Sequence, residues 1–294
     1  MSGFVTSTPV IPSISLNLPE HMKSMKTSGS GKIEIRARCK SRTVIRFTIF
    51  VLLALTAYGF LTFNYRNIDL VNAVSGTFTN IQTIFGQPRL NFNTYLGALH
   101  QLLITFSLGI LATIFGAAIA FFGALLCARN ISSPTVSNIT RAFVALIRAV
   151  PSLLWVLIFT VSAGIGSVAA VAGLTVHSAG YLVKAYSESF EEMDNGVIEA
   201  LRASGASFWQ IVFQAIVPSS ISYLIAWTFL RFEINFTNAL IIGAVAGAGG
   251  LGFDLFMAGT YYFDLRELGF ITYMVVITVV LLEMVATRMK ASVT

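Results

Sequence analysis

The stretch Glu199–Pro218, which reads EALRASGASFWQIVFQAIVP, is a polar interruption between two apolar runs, each long enough to cross a bilayer. A polar segment in so apolar a chain indicates a place where a partner binds from water. The residues before Gly205 favour a helix, and Gly205 can adopt the left-handed conformation that ends one. Ser207 and Gln210 then have the S-x-x-Q spacing of a capping box, which predicts that a second helix follows.

This second helix should begin near Phe208 and be short, with an apolar face at helical spacing. The face consists of Phe208, Ile211, Val212 and Ala215. Pro218 marks the point where we expect this helix to meet the next membrane span. The predicted shape of residues 199–218, which we call the elbow, is a helix, a tight turn, a short helix and then the membrane. An elbow of this kind either docks into a groove on a soluble partner or is only a helical connector.

The composition identifies an integral membrane protein. Of the 294 residues, 55% are hydrophobic and 11% are charged, and the mean hydropathy is +0.78, whereas a soluble domain carries about a quarter charged residues. The net charge of +6 could indicate nucleic-acid binding. However, eight basic residues lie before or at the start of the first apolar run, which is typical of a cytoplasmic anchor. They are Lys23, Lys26, Lys32, Arg36, Arg38, Lys40, Arg42 and Arg46.

Six apolar runs predict an all-α membrane protein with about six transmembrane helices, because roughly 20 residues cross the hydrocarbon core. The runs cover residues 44–63, 97–127, 142–163, 165–187, 216–236 and 268–287. The predicted organisation is a cytoplasmic basic tail (1–43), a first span with an extracytoplasmic loop (44–96) and a transmembrane domain (97–290). The tail is expected to be disordered or loosely held and does not resemble a cleaved signal peptide. Residues 64–96 predict a loop that could include short interfacial helices.

The distribution of basic residues predicts that both termini are cytoplasmic. Most Lys and Arg then fall in the inner segments, which are 1–43, 128–141, 188–215 and 288–294. The elbow therefore faces the cytoplasm, and the Gly-rich residues 237–265 lie outside.

Small residues recur at four-residue intervals in the second span, at Ala112, Gly116, Ala120 and Ala124. Such a stripe lets another helix approach closely, although an Ala-rich segment can produce it by chance. The two cysteines, Cys39 and Cys127, lack the spacing of metal ligands, and we expect both to be reduced thiols.

Ionisable residues within spans usually face the bundle interior or a watery cavity. His177 and Lys184 lie seven residues apart in the fourth span and therefore share a helix face. They could line a path for an oxyanion, which needs hydrogen-bond donors and positive charge. Alternatively, His177 is a packing residue and Lys184 extends to the interface. In the third span, Arg148 is followed by Pro151, which should perturb the helix.

Arg231 and Glu233 lie two residues apart in the fifth span, so they should point to different helix faces and not pair with each other. They belong either to a structural ion network or to an anion-attracting entrance or a contact with a delivering protein.

The stretch from Gly247 to Gly252 matches G-x-G-x-x-G, but no βαβ pattern surrounds it, so a nucleotide site is not indicated. Gly247, Gly249, Gly250 and Gly252 instead indicate a break or gate that lines a cavity between spans.

The elbow resembles the EAA loop of ABC-type importer permeases, whose pattern is E-A-A, three residues, G, nine residues and I-x-L-P. Glu199, Ala200, Gly205 and Pro218 fall at the family positions, whereas Leu201, Ala215 and Val217 depart from them. The resemblance implies that this segment forms a coupling helix that contacts an ATPase subunit. The residues implied in that contact are Glu199, Ala200, Gly205, Ala206, Ser207 and Phe208.

Beyond residue 95 the chain is similar to the permease subunit of phosphonate importers. The similar stretches are IRAVPSLLWVLIF at 147–159, HSAGYLVKAYSES at 177–189 and LRFEINFTNALIIGAVAGAGGLG at 230–252. The resemblance implies the type I ABC importer permease fold, with a pathway for a phosphonate or related phosphorus oxyanion. The candidate pathway residues are His177, Arg148, Lys184, Arg231, Glu233 and Asn235.

The implied partners are a second permease copy, two ATPase subunits that bind ATP and Mg, and an extracytoplasmic binding protein, in a bacterial plasma (inner) membrane. Phosphite, phosphate or an amino acid are alternative cargoes. The chain itself is expected to hold no cofactor or metal and to catalyse no reaction, because it lacks a Walker A motif and a recognisable catalytic set. An ion-coupled secondary transporter is a further alternative, but it needs coupling carboxylates within spans, and Glu233 is the reasonable candidate.

Overall fold

The computed structural model describes residues 25–27, 33–35, 40–63 and 69–291. The chain divides into two compact units, Met1–Asp69 and Leu70–Thr294. In the first unit, strands β1 (Met25–Thr27) and β2 (Ile33–Ile35) pair antiparallel. This pairing differs from the expected disorder because it depends on backbone hydrogen bonds, which a polar composition does not exclude. The other residues of the predicted tail before helix α1 lie outside the described residues.

Helix α1 (Lys40–Thr62) also belongs to the first unit and begins within the predicted tail. Its apolar part, Thr43–Thr62, is a candidate span of 20 residues and agrees with the predicted span 44–63.

The described part of the second unit is helical. Its helices are α2 (Leu70–Gly86), α3 (Tyr95–Cys127), α4 (Pro134–Ala149), α5 (Ser152–Ala163), α6 (Ser167–Glu191), α7 (Asn195–Ala203), α8 (Phe208–Ile211), α9 (Val217–Val245), α10 (Leu251–Phe256) and α11 (Leu265–Ala291). With α1, five described helices are long and apolar enough to cross a membrane, and the number is six if α4 and α5 count as one bent span. The predicted all-α class is confirmed.

The core forms where α3 packs against α6 along the small-residue stripe. Ala112, Ala120 and Ala124 are fully buried. A Cβ added to Gly116 would lie 2.7 Å from Cβ of Ser178, so this position has no room for a larger residue. The stripe therefore permits a close helix approach, as predicted. Cys127 ends α3 as a buried free thiol, whereas Cys39 lies outside the described residues.

The predicted third span is not one straight helix. Helix α4 begins at Pro134, within the predicted loop 128–141, and the chain bends by 86° between α4 and α5. Pro151 explains the break, because it cannot donate a backbone hydrogen bond and it disfavours the helical conformation at Val150, which is extended here. Nε1 of Trp155 donates to the carbonyl of Ile147 (3.2 Å) and ties α5 back onto α4.

The predicted fifth span, 216–236, is too short, because the helix is continuous from Phe208 to Val245. Pro218 does not end it. A π-helical segment, Val212–Ile216, precedes the proline, and the N–H of Val217 donates to the carbonyl of Val212, five residues earlier. This wider turn lets the chain pass a proline that would clash with a regular helical turn.

Two segments outside the predicted spans also contain helices. Residues 64–96 include α2, whose Phe85 carbonyl accepts a hydrogen bond from the hydroxyl of Tyr273 on α11 (2.8 Å). Residues 237–265 include the end of α9, helix α10 and a π-helical turn, Met257–Tyr261.

The opposite ends of α3 mark the two ends of the helical bundle. We call one the elbow end, where α3 finishes beside α6 and the elbow. At the other end, residues 91–93 are held by three carboxylates, those of Asp254, Asp264 and Glu267. We call this set of residues the clasp. At a rise of 1.5 Å per residue, the 33 residues of α3 separate the two ends by roughly 50 Å.

Candidate functional site

The elbow has the local geometry that its sequence predicts. Gly205 has a φ of +83°, in the left-handed region that favours glycine. The N–H of Ser207 donates to Oε1 of Gln210 (2.7 Å) as part of the capping box. Helix α7, the tight turn and α8 therefore follow one another as expected.

One face of the elbow is buried in the bundle and another is open. Ile211, Val212 and Ile216 are buried in the core beneath the elbow. Phe208, which was predicted to share an apolar face with Ile211 and Val212, is 45% exposed and contacts Trp209 edge to face. Of the six predicted coupling residues, Ala206 is half-buried, and the five exposed ones are Glu199, Ala200, Gly205, Ser207 and Phe208.

Arg231 lies near the middle of α9 and is only 2% exposed. Its Nε donates to Oγ of Ser178 on α6 (3.1 Å). Asn235, one turn further along α9, donates from Nδ2 to Ser178 (2.8 Å) and to Oγ1 of Thr113 on α3 (2.9 Å). This network joins three helices and fixes the guanidinium group through neutral partners.

Arg231 retains an unused donor. Its Nη2 is buried and has no hydrogen-bond partner, and Nδ1 of His177 is in the same condition. Among the side chains described in residues 69–291, the ion pairs are Arg141–Glu191 and Lys184–Glu188, so Arg231 has no acidic partner there. A buried donor without a partner costs about 1–3 kcal/mol, and a bound anion would satisfy it.

Tyr181 lies beside two guanidinium groups. The Cζ atom of Arg231 is 5.2 Å from the ring centroid and that of Arg148 is 6.0 Å from it. The charges of both arginines act on His177, which lies beside the backbone of Val150 at the bend between α4 and α5. Arg148 is exposed and Arg231 is buried, so positive charge extends from the surface into the bundle. We call Arg148, His177, Tyr181 and Arg231 the cationic cluster.

The structure does not bring the other two ionisable candidates into this cluster. Nζ of Lys184 lies 3.6 Å from Oε1 of Glu188, one turn along α6, and both side chains are about half exposed. Glu233 interacts with Glu283 on α11 and does not pair with Arg231, which agrees with the prediction that they point to different faces.

The glycines after α9 form a turn that packs against α3 and α9. The N–H groups of Gly250 and Leu251 donate to Gln101 Oε1 and Thr105 Oγ1, each at 2.9 Å. A Cβ on Gly252 would lie 1.7 Å from the carbonyl oxygen of Leu240. These contacts explain the need for glycine at this position by close packing of the backbone.

Sequence reasoning missed Thr113, Ser178 and Tyr181. A hydroxyl or a ring within an apolar run carries no signal until the neighbouring helices are placed. One signal was available, because His177 and Tyr181 have the i, i+4 spacing of a shared helix face.

Comparison with known proteins identifies the family. The profile of the binding-protein-dependent transport system inner membrane components matches residues 120–293. The chain belongs to this family. The matched region contains the elbow, the cationic cluster and the Gly-rich turn.

Two relatives of the chain are named for phosphorus oxyanions. The chain is 35% identical over 153 residues to the phosphate-import permease protein PhnE of Mycolicibacterium smegmatis, covering 52% of this chain and 29% of that protein. It is 30% identical over 190 residues to the phosphite transport system permease protein PtxC of Stutzerimonas stutzeri, covering 64% of this chain and 68% of that protein. The chain therefore spans less than a third of the first relative's length and about two thirds of the second's.

A solved structure shows the same fold. The inward-facing MetNI methionine ABC transporter superposes with a TM-score of 0.59 at 24% identity, covering 67% of this chain and 96% of the matched chain. The predicted ABC importer permease fold is thus confirmed for this family member.

Proposed function

We propose that this chain is the membrane-spanning permease subunit of an ATP-driven importer for a phosphonate or a related phosphorus oxyanion. In this proposal two copies of the chain form the pathway in a bacterial plasma membrane. Two ATPase subunits, which bind ATP and Mg, contact the exposed face of the elbow from the cytoplasm, and a binding protein delivers the solute on the other side. The basic residues support an orientation with both termini in the cytoplasm.

The observation that carries the cargo class is the unused donor of Arg231. A guanidinium group presents planar N–H donors that match the oxygens of a phosphorus oxyanion. The buried position of Arg231 strengthens any such contact, because little water competes there. A bound anion would also favour the protonated ring of His177, in which both nitrogens donate.

The alternative cargoes fit the cluster less well. Other relatives are named for methionine in Bacillus subtilis and for carnitine in Listeria monocytogenes. An amino acid carries an ammonium group that needs an acceptor, whereas the cationic cluster consists of two arginines, a histidine and a tyrosine and contains no carboxylate. A cavity of about 840 Å³ between α3, α5 and α6 is lined mainly by apolar side chains and has no charged one among those described, so it does not compete as an anion site.

In the proposed transport cycle, the elbow and the cationic cluster have separate tasks. Closure of the ATPases on ATP would move the elbow, and the long helix that starts at Phe208 would carry this movement to Arg231. The anion would meet Arg148 first, because this arginine is exposed, and then the donors of His177 and Arg231. Lys184 and Glu233 are given no role in the pathway, because they lie outside the cationic cluster.

The test is uptake by the complex reconstituted in liposomes with its ATPase and binding protein. The probes are methylphosphonate, phosphite, phosphate and methionine. Arg231→Lys keeps the charge but loses the planar donors, so uptake of the phosphorus oxyanion should fall by about tenfold or more. Arg288→Lys, at an exposed position on α11, is the matched control and should leave uptake unchanged.

Two outcomes would overturn the proposal. Uptake of methionine without uptake of any phosphorus oxyanion would reject the cargo class. Unchanged uptake by an Arg231→Lys variant would remove Arg231 from the pathway. The variant's melting temperature, compared with that of the wild type, shows whether a loss of uptake reflects misfolding.

A further inference from the structure

Arg141 joins three elements at the elbow end. Its guanidinium group forms an ion pair with Glu191 at the end of α6. Its Nε donates to the carbonyl of Cys127 at the end of α3 (3.1 Å). Oε1 of Glu191 also accepts the backbone N–H of Arg129 (2.6 Å). The ends of α3 and α6 are therefore both attached to α4 through one side chain.

The same group of contacts reaches the elbow. Nδ2 of Asn130 donates to the carbonyl of Phe190 (2.8 Å), and the carbonyl of Asn130 accepts from Nη2 of Arg202 (3.4 Å). Arg202 lies on α7, three residues after Glu199. The loop after α3 thus contacts the elbow on one side and the end of α6 on the other.

At its other end, α4 reaches the cationic cluster. Arg148 follows Arg141 by two helical turns and so lies on the same face of α4. Gly180 of α6 leaves the space that this part of α4 occupies, because an added Cβ would lie 2.8 Å from Cγ2 of Ile147 and 3.2 Å from Cγ of Arg148. The backbone of Val150, directly after α4, lies beside His177.

Other polar contacts also fix α4. Oγ of the buried Ser137 donates to the carbonyl of Cys127 (2.6 Å), and Nε1 of Trp155 donates to the carbonyl of Ile147 (3.2 Å). Of the 16 residues of α4, Ser137 and Val144 are the buried ones. The side chains of Arg141 and Glu191 are 31% and 27% exposed, so their interaction is partly shielded from water. Because apolar burial is small, polar contacts attach this helix to the bundle at the elbow end. Ser137 and Arg141 both donate to the end of α3, and the ion pair of Arg141 with Glu191 reaches α6.

We propose that Arg141 and Glu191 are positioning residues that transmit movement of the elbow through α4 to Arg148 and His177. This inference rests on the proposed function and adds a second route to the one through α9. When the elbow moves, the ion pair makes α4 move together with α6. The cationic cluster therefore rearranges at the same time as the elbow. Without the pair, the elbow moves and ATP is hydrolysed, but α4 no longer follows.

The test compares solute transported per ATP hydrolysed in the reconstituted complex. Arg141→Gln and Glu191→Gln should each lower this ratio by about threefold, the size of effect that a partly exposed ion pair can supply, while ATP hydrolysis stimulated by the binding protein stays within about twofold of wild type. The double variant should lower the ratio no further than either single variant, since both substitutions break the same ion pair. Arg141→Lys, which keeps the charge, should recover part of the ratio.

The chain provides a matched control in Lys184→Gln. It removes an ion pair on the same helix, but one between exposed side chains that connects no second element. The ratio should not change in this variant. An equal fall in Lys184→Gln, or an unchanged ratio in Arg141→Gln, would overturn the inference.

A second measurement does not depend on the cargo. Spin labels at the exposed positions Ala145 and Val168, in a background with both native cysteines replaced, report the distance between α4 and α6. Trapping with ATP and vanadate should change this distance in the wild type and leave it unchanged in Arg141→Gln. An equal change of distance in the wild type and in Arg141→Gln would reject the role of the ion pair even if the cargo proposal holds. Conversely, methionine uptake by the wild type would reject the cargo and leave this comparison valid.

Discussion

At the elbow end of the bundle, Glu191 meets a cation as well as one backbone N–H group, whereas the carboxylates of the clasp meet several backbone N–H groups and side-chain amides. Glu191 pairs with Arg141. Glu267, only 3% exposed, instead accepts hydrogen bonds from the backbones of Asn91, Phe92 and Asn93 at 2.7–3.2 Å. An ion pair between long side chains can break and reform, but three backbone donors fix a loop in one position. The elbow end is therefore suited to movement and the clasp end to holding shape.

The largest expected effect is on uptake, and it compares a glycine at the elbow with a glycine outside it. Gly205 at the elbow and Gly164 after α5 have φ values of +83° and +82°, and neither has a neighbour within 4 Å of an added Cβ. Glutamate should cost about 1–2 kcal/mol of backbone strain at Gly205 and more at Gly164, where a ψ of 171° places the backbone in a region that essentially only glycine adopts. We expect Gly205→Glu to reduce uptake to background, because it alters the surface that contacts the ATPase, and Gly164→Glu to retain most uptake. Equal losses would show that strain, rather than the contact, is responsible.

The next effect concerns stability. Glu267→Gln removes the charge from a buried acceptor of three N–H groups and should lower the free energy of unfolding by about 1–3 kcal/mol. Glu191→Gln breaks a partly exposed pair and should cost less than about 1 kcal/mol. Unfolding of the purified protein by SDS measures both. If Glu191→Gln were the more damaging change, the contrast between the two ends would be reversed.

The smallest effect is a pH dependence confined to the clasp. Burial, together with the charge of Glu267, raises the pKa of Asp254 to about 6, against the hydrogen bond from Asn93. The folded chain therefore holds this proton more tightly than the unfolded chain, and the contribution of Asp254 to stability rises as pH falls from above 6 to about 4. Asp254→Asn should be more stable than wild type at pH 8, and this advantage should disappear near pH 4.

Asp264 supplies the control with the opposite sign. The hydrogen bond from Asn91 lowers the pKa of this carboxyl, with help from the N–H groups of Glu267 and Arg266. Its stabilising contribution is present above its ordinary pKa and is lost as pH falls. Asp264→Asn should therefore be less stable than wild type at pH 8, with the difference shrinking in acid. Identical pH profiles for the two variants would contradict the assigned environments.

The features that sequence predicted well depend on neighbours along the chain. The turn at Gly205 and the cap at Ser207 follow from residues within four positions of each other. The clasp could not be found in this way, because Asn93 and Asp254 are 161 residues apart. Residues 64–96 were predicted as a loop that could include short helices, and the 17-residue length of α2 was not foreseen because Asn, Thr and Gly are poor helix formers. The close contact of α2 with α11 at Gly269 is visible only in three dimensions.

The same distinction between local and long-range signals applies to the candidate site. Arg231 and His177 stood out because charge is rare within an apolar span. Their partners Ser178 and Thr113 did not, because small hydroxyls are common there and gain meaning only when α3, α6 and α9 pack together. The bend at Pro151 was predicted, but its 86° angle depends on Trp155 and on the glycines of α6, which no local pattern reports.

The π-helical segment before Pro218 determines how the rest of α9 is rotated about the helix axis. A π turn stores one residue more than an α turn. If Val212–Ile216 tightened to α-helical geometry, everything further along α9 would rotate by about 100° and advance by about 1.5 Å. Arg231 lies on that rotating part, so a change of winding five residues long would decide which way its guanidinium group points.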